Sequence, residues 1–270
     1  MDNHKYRELI RLLEKLDGVA VAFSGGVDST FLLYAAKEAL GDRVVAAIGK
    51  SPIHARWEHE EAVAFAEHLG VRVRVLETEE MQNAEFLQNP ENRCYICKKA
   101  IMGTLLKVAK QEGFNHVVEG SNKDDLGDFR PGMDALRELG IDSPLLEVGL
   151  GKQEIRGLSK MLELPTWNRP SMACLASRIP YGSPITTSKL DRIEKTERAI
   201  AKLGFSQLRV RDHGDIARIE VEPKDIPKIA TDSLRLSIIE AGRSAGYIYV
   251  CLDLQGYRTG ALNEVLKNKT

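Results

Sequence analysis

At 270 residues with 43% apolar content, the chain can bury a sizeable core, as one large domain or two unequal ones. Its 38 basic and 39 acidic residues leave a formal net charge of −1, which argues against binding driven mainly by a nucleic-acid backbone. No apolar run is long enough to span a bilayer, and the start, Met1-Asp2-Asn3-His4-Lys5, carries no apolar leader, so a cytoplasmic location is expected. In that reducing setting Cys94, Cys97, Cys174 and Cys251 read as thiol chemistry or metal ligands, not as structural disulfides.

A charged amphipathic helix opens the chain, followed by the apolar run Val19–Phe23, the loop Ser24-Gly25-Gly26-Val27-Asp28-Ser29 and a helix-like run from Thr30 to Leu40. Two glycines let the backbone turn sharply, and the amides that follow open a helix N-terminus, where unpaired N–H groups and aligned dipoles favour an anion. Ser24 and Ser29 add hydroxyl donors, and Asp28 can hold the Mg²⁺ of a nucleotide polyphosphate. Gly49-Lys50-Ser51 is not a Walker A site, because Val44 stands where the first glycine is needed. Further runs at Val44–Ile48, Val71–Leu76 and His116–Glu119 alternate with segments of helical period. This predicts an α/β fold, a parallel doubly wound sheet with its ligand crevice at the carboxyl ends of the strands. Ser24 to Ser29 lies at one such end and Gly120-Ser121-Asn122-Lys123-Asp124-Asp125 at another, which puts Asp124 and Asp125 opposite the glycine loop. A polar, Pro-containing stretch from Leu164 to Pro184 then breaks the pattern. A long helix (Thr187 to Leu203), strands at Gln207–Arg211 and Ala217–Val221, and a last strand at Tyr247–Leu252 predict a smaller α/β domain, with Cys251 in its core. Trp57 and Trp167 read as packing residues.

The stretch Arg169-Pro170-Ser171-Met172-Ala173-Cys174-Leu175-Ala176-Ser177-Arg178-Ile179-Pro180-Tyr181-Gly182 is a shaped loop, with prolines on both sides and a terminal glycine. Arg169 and Arg178 could stabilise a Cys174 thiolate, although a small buried hydrophobe is an equal reading of that cysteine. Cys94-Tyr95-Ile96-Cys97 sits at the start of a helical run, where the dipole and Arg93, Lys98 and Lys99 should lower the thiol pKa. Two thiols alone read as a redox pair or half a zinc site; with Cys174 they make three, a set suited to a [4Fe–4S] cluster with one iron left open. Arg209 and Arg211 share a strand face and suit a phosphate, whereas Glu220 and Glu222 could bind a divalent ion.

The glycine loop resembles the PP-loop, SGGxDS, of the ATP pyrophosphatases, which implies cleavage of ATP between the α- and β-phosphates. Together with Gly120-Ser121-Asn122-Lys123-Asp124-Asp125-Leu126-Gly127-Asp128-Phe129-Arg130-Pro131-Gly132 and the segment Ala173 to Gly182, it makes most of the chain similar to the LarE family of ATP-dependent sulfur transferases. The resemblance implies a PP-loop domain over 1–168, a cysteine-bearing active-site loop over 169–184 and a small α/β domain over 185–270. It further implies adenylation of a carboxylate of a pyridinium-3,5-biscarboxylic acid mononucleotide and its conversion to a thiocarboxylate, a step toward the nickel-pincer nucleotide cofactor. Ser24, Gly25, Gly26, Asp28, Ser29, Asp124 and Asp125 would then hold Mg²⁺ and ATP, Arg209 and Arg211 the substrate phosphate, and Cys174 the position of the sulfur-donating cysteine. Members of the family divide into a sacrificial type and a three-cysteine type, and Cys94 and Cys97 favour the cluster form here. A small-molecule substrate, no nucleic acid, no membrane and a homo-oligomer complete the expectation; the alternative is a PP-loop tRNA thiolase.

Overall fold

The computed structural model describes residues 3–127, 131–170 and 173–267. Asp128, Phe129 and Arg130 of the acidic motif and Ser171 and Met172 of the cysteine motif lie outside the described residues. The chain divides into two compact units, Met1–Phe86 with Asn92–Met172, and Leu87–Glu91 with Ala173–Thr270.

In the first unit, helix α1 (His4–Glu14) starts where the Asn3 side chain accepts the Tyr6 amide at 3.1 Å, and it buries Tyr6, Leu9 and Leu13. There follow β1 (Val19–Ala22), α2 (Val27–Leu40), β2 (Val44–Lys50), α3 (Arg56–His68), β3 (Arg72–Glu77), the single turn α4 (Ala84–Leu87), the long α5 (Arg93–Gln111) and β4 (His116–Val118). Beyond β4 come α6 (Gly132–Leu139), α7 (Pro144–Glu147) and α8 (Lys152–Met161). The strands pair in the order β3-β2-β1-β4, all parallel, with Val19 opposite both Val44 and His116. Alternation along β1 explains the two helical layers. Val19 and Val21 join Leu9, Phe31, Leu33 and Leu158 on one face, while Ala20 joins Val45, Ala47, Met102 and Leu105 on the other. The doubly wound parallel sheet expected from the sequence is therefore present. Strand β3 lies at the edge and is largely exposed, with Arg72 and Arg74 both paired to Glu112; charged side chains on such an edge discourage pairing with another chain.

The second unit contains α9 (Thr187–Ala201), β5 (Leu208–His213), β6 (Ile216–Val221), α10 (Ile226–Ile229), α11 (Asp232–Ser244), β7 (Tyr249–Leu252) and α12 (Glu264–Lys267). β5 and β6 run antiparallel, β6 and β7 parallel, in the order β5-β6-β7. Their core gathers Ile200, Phe205, Leu208, Val210, Ala217, Ile219, Ile238 and Tyr247. Cys251 is a correction: it lies on the edge strand β7 and is exposed, because the side chains of a strand alternate and the buried set belongs to its neighbours. Residues 87–91 join this unit through Asn89. Its fully buried side chain donates to the carbonyls of Ile179, Pro180 and Ser183 at 3.2, 2.8 and 3.1 Å, and its own carbonyl accepts the Gly182 amide at 3.0 Å.

Candidate active site

β1 ends where the Phe23 amide donates to Ala47, and the chain turns at Gly25, whose φ of +70° only glycine adopts without strain. Ser24 and Ser29 lie with their hydroxyls 3.1 Å apart across the turn, and Ser29 Oγ also donates to the Gly26 carbonyl at 3.3 Å. Gly26 caps α2 without a side-chain hydrogen bond, which leaves the first-turn amides to a ligand. A second glycine makes this arrangement possible. A Cβ on Gly120, just after β4, would stand 3.0 Å from the Ser29 nitrogen, so only glycine lets the end of β4 lie against the start of α2.

Asp124 and Asp125 do lie at the carboxyl end of β4, and both already have structural duties. Asp124 Oδ2 accepts the Lys152 amide at 2.6 Å and so caps α8, while Asp125 Oδ2 accepts the Asn122 amide at 2.9 Å. The same contacts bring Lys152 to the loop, with its Nζ 3.9 Å from Asp28 Oδ2. Sequence reasoning missed this lysine, although Gly149-Leu150-Gly151 before a helical run was a visible sign of a tight entry. Just past β4, the Glu119 carboxylate is buried and accepts from Ser121 N at 2.9 Å, Ser143 Oγ at 2.7 Å and Lys98 Nζ at 3.1 Å. Burial acts to raise its pKa, but Lys98 and these hydrogen bonds outweigh that and hold it below the usual carboxylate range.

Cys94 is exposed and Cys97 half-buried in the first turn of α5, on one helix face. Three basic residues flank them in sequence, Arg93, Lys98 and Lys99. Lys98 is paired with Glu119, Lys99 with Glu138 at 2.8 Å, and Arg93 is buried. The helix dipole remains. Soft thiols one helical turn apart fit iron as a pair of donors. Cys174, half-buried, belongs to the second unit, and among the described residues no group of three or more His, Cys, Asp or Glu has a metal-holding arrangement.

In that second unit Cys174 precedes a short 3-10 turn, Leu175–Arg178. Arg178 serves the cysteine's backbone: its Nη1 donates to the Cys174 carbonyl at 3.0 Å and also to Ala173, while Nε and Nη2 take both oxygens of Glu197 at 2.9 and 3.0 Å. Glu197 also accepts the Val210 amide at 2.9 Å and thereby ties the loop to β5. Arg209 and Arg211 share a face of β5 as expected, yet both are buried at 6% exposure instead of standing as open forks. Arg211 grips Glu220 with two hydrogen bonds of 2.9 and 2.7 Å and donates to the Ser177 carbonyl at 2.8 Å. Arg209 stacks on Tyr257, and its pKa is lowered by burial and then by the neighbouring Arg178, so an anion arriving here would be favoured. Glu220 pairs with Arg211 and Arg218, and Glu222 lies past the end of β6 and pairs with Lys224.

The NAD synthase family model matches residues 9–120. An uncharacterized protein of Synechocystis sp. is 41% identical, covering 97% of this chain and 98% of the relative. The pyridinium-3,5-bisthiocarboxylic acid mononucleotide synthase of Lactiplantibacillus plantarum is 35% identical, over 97% of this chain and 95% of its own. An uncharacterized protein of Methanocaldococcus jannaschii is 30% identical over 89% and 91%.

Proposed function

As the chain belongs to the LarE family, that of the pyridinium-3,5-bisthiocarboxylic acid mononucleotide synthase, we propose that it is an ATP-dependent sulfur transferase acting on a pyridinium-3,5-biscarboxylic acid mononucleotide. The observation that carries this reading is the similarity to that synthase along nearly its whole length, with the phosphate loop and the cysteine loop both inside the match. A substrate carboxylate oxygen attacks the α-phosphorus of ATP, the bond to the β-phosphate oxygen breaks, and pyrophosphate leaves into the amides of Gly25 to Ser29. Asp28 would hold the magnesium ion, which when bound neutralises polyphosphate charge. Lys152 stands where it can exchange Asp28 for a phosphate oxygen. Arg209 and Arg211 would hold the substrate phosphate, with Arg211 sharing itself between that phosphate and Glu220.

The Cys174 thiolate then attacks the acyl carbon, AMP departs with the C–O electron pair, and a thioester forms. Loss of the Cys174 Cα proton breaks its Cβ–S bond, leaving dehydroalanine in the chain and a thiocarboxylate on the product. The first-turn thiols of α5 support a second source of sulfur: Cys94, Cys97 and Cys174 would hold a [4Fe–4S] cluster, which when bound supplies a sulfide donor and spares the polypeptide.

Pyrophosphate release from ATP is expected on addition of the biscarboxylated pyridinium mononucleotide and not of total tRNA; the reverse would establish the tRNA thiolase instead. The balanced charge of the chain favours the former. The same anaerobic reaction separates the sulfur sources, since stoichiometric dehydroalanine at position 174 without bound iron identifies the sacrificial route. Loss of iron in each of Cys94→Ala, Cys97→Ala and Cys174→Ala identifies the cluster.

A further inference from the structure

The guanidinium of Arg169 holds the phosphate loop by its backbone. Nη1 donates to the Gly25 carbonyl at 2.9 Å, and Nη2 pairs with the Glu61 carboxylate on α3. The Arg169 carbonyl is fixed in turn by Arg156 Nη2 at 2.6 Å, and Arg156 Nη1 takes the Trp167 carbonyl at 2.9 Å, which ties this stretch of backbone to α8. The Arg169 side chain is largely shielded, at 22% exposure, whereas Glu61 is half exposed at 51%.

A trans peptide points its carbonyl and the following N–H in opposite directions, and the chain has no cis peptides among the described residues. A donor fixed on the Gly25 oxygen therefore fixes the direction of the Gly26 N–H. The peptide between two glycines is the least constrained unit in the loop, because neither side carries a Cβ to limit its rotation. We propose that Arg169 is a positioning residue of the anion cradle, keeping the Gly26 amide turned toward the phosphate groups while Glu61 neutralises and aims the guanidinium. This inference rests on the phosphate reading of the loop. Arg169 acts through the backbone, so its effect is confined to ligands that carry phosphate.

The test is isothermal titration of the full chain with magnesium pyrophosphate and, separately, with adenosine. Arg169→Met is expected to weaken pyrophosphate binding by about tenfold, the worth of one hydrogen bond from a charged donor, with adenosine affinity unchanged. Arg169→Lys recovers only part of the loss, because a single ammonium cannot reproduce the fork between Gly25 and Glu61. Glu61→Gln leaves the Gly25 contact in place and weakens binding less than Arg169→Met does. Wild-type pyrophosphate affinity in Arg169→Met overturns the proposal, as does an equal loss for adenosine, which marks a general collapse of the site. If Arg169→Met does not fold, Arg169→Lys carries the same comparison. A folded wild-type protein that binds no pyrophosphate contradicts the phosphate reading itself, a failure distinct from that of Arg169.

Discussion

Glu119 shows how single residues set the site. It follows the last residue of β4, directly before the glycine that touches α2, and its charge is held by Lys98 on the helix that carries Cys94 and Cys97. A carboxyl whose folded-state pKa lies below its unfolded value stabilises the fold above about pH 4.3, and that contribution is lost as pH falls through the folded value. Glu119→Gln should cost about 2 kcal/mol at neutral pH, and its deficit against the wild type should shrink as the pH falls below about 4.3 and through the lowered folded-state value. Urea unfolding at several pH values measures this; a deficit independent of pH contradicts it. The residues named in the phosphate loop were legible because glycines, hydroxyls and one acid in strand–loop–helix context have few other uses. Arg169 and Lys152 were not legible in their present roles. Arg169 reaches Gly25 from 144 positions away, and no local periodicity encodes such a contact. Cys251 was misjudged for a related reason: an apolar run marks a strand without saying which of its two faces the sheet will cover.

Elements meet at this site end-on. The N-terminus of α2 follows β1, and that of α8 is drawn to the same place by Asp124, while Gly120 allows β4 to end against α2. Gly120→Ala should force the new Cβ against the Ser29 backbone, where no flexible side chain can give way. A loss of about 1–3 kcal/mol in stability follows from such overpacking, together with weakened pyrophosphate binding. Thermal unfolding and titration test both, and an unchanged pyrophosphate affinity would show that this strand end does not set the loop. The covered strands of the sheet were predictable because they lack polar positions, and the exposed edge strand β3 because Arg72 and Arg74 alternate with Val73 and Val75. The ends of these elements were less so. Glu119 belongs past the end of β4, and α2 begins at Val27, inside the motif, because a helix may start on any residue whose amides find a use.

For the whole molecule, the division into two units places the phosphate loop and the Cys94–Cys97 pair in the first, and Cys174 and the arginines of β5 in the second. The sequence suggested a change of pattern near the cysteine loop, but not that residues 87–91 would belong with it. Asn89, whose positive φ and buried amide serve three distant carbonyls, makes that assignment, and an Asn-Pro pair otherwise reads as an ordinary turn. The proposed reaction requires both units, because ATP cleavage alone would need no cysteine and a cysteine alone could not activate a carboxylate. In that reaction the energy of ATP exchanges a carboxylate oxygen for sulfur. The most direct measurement is mass-spectrometric analysis of the pyridinium product, with AMP counted in the same anaerobic reaction. One thiocarboxylate for each AMP formed is the predicted result; AMP accumulating with no sulfur in the pyridinium product would contradict the claim.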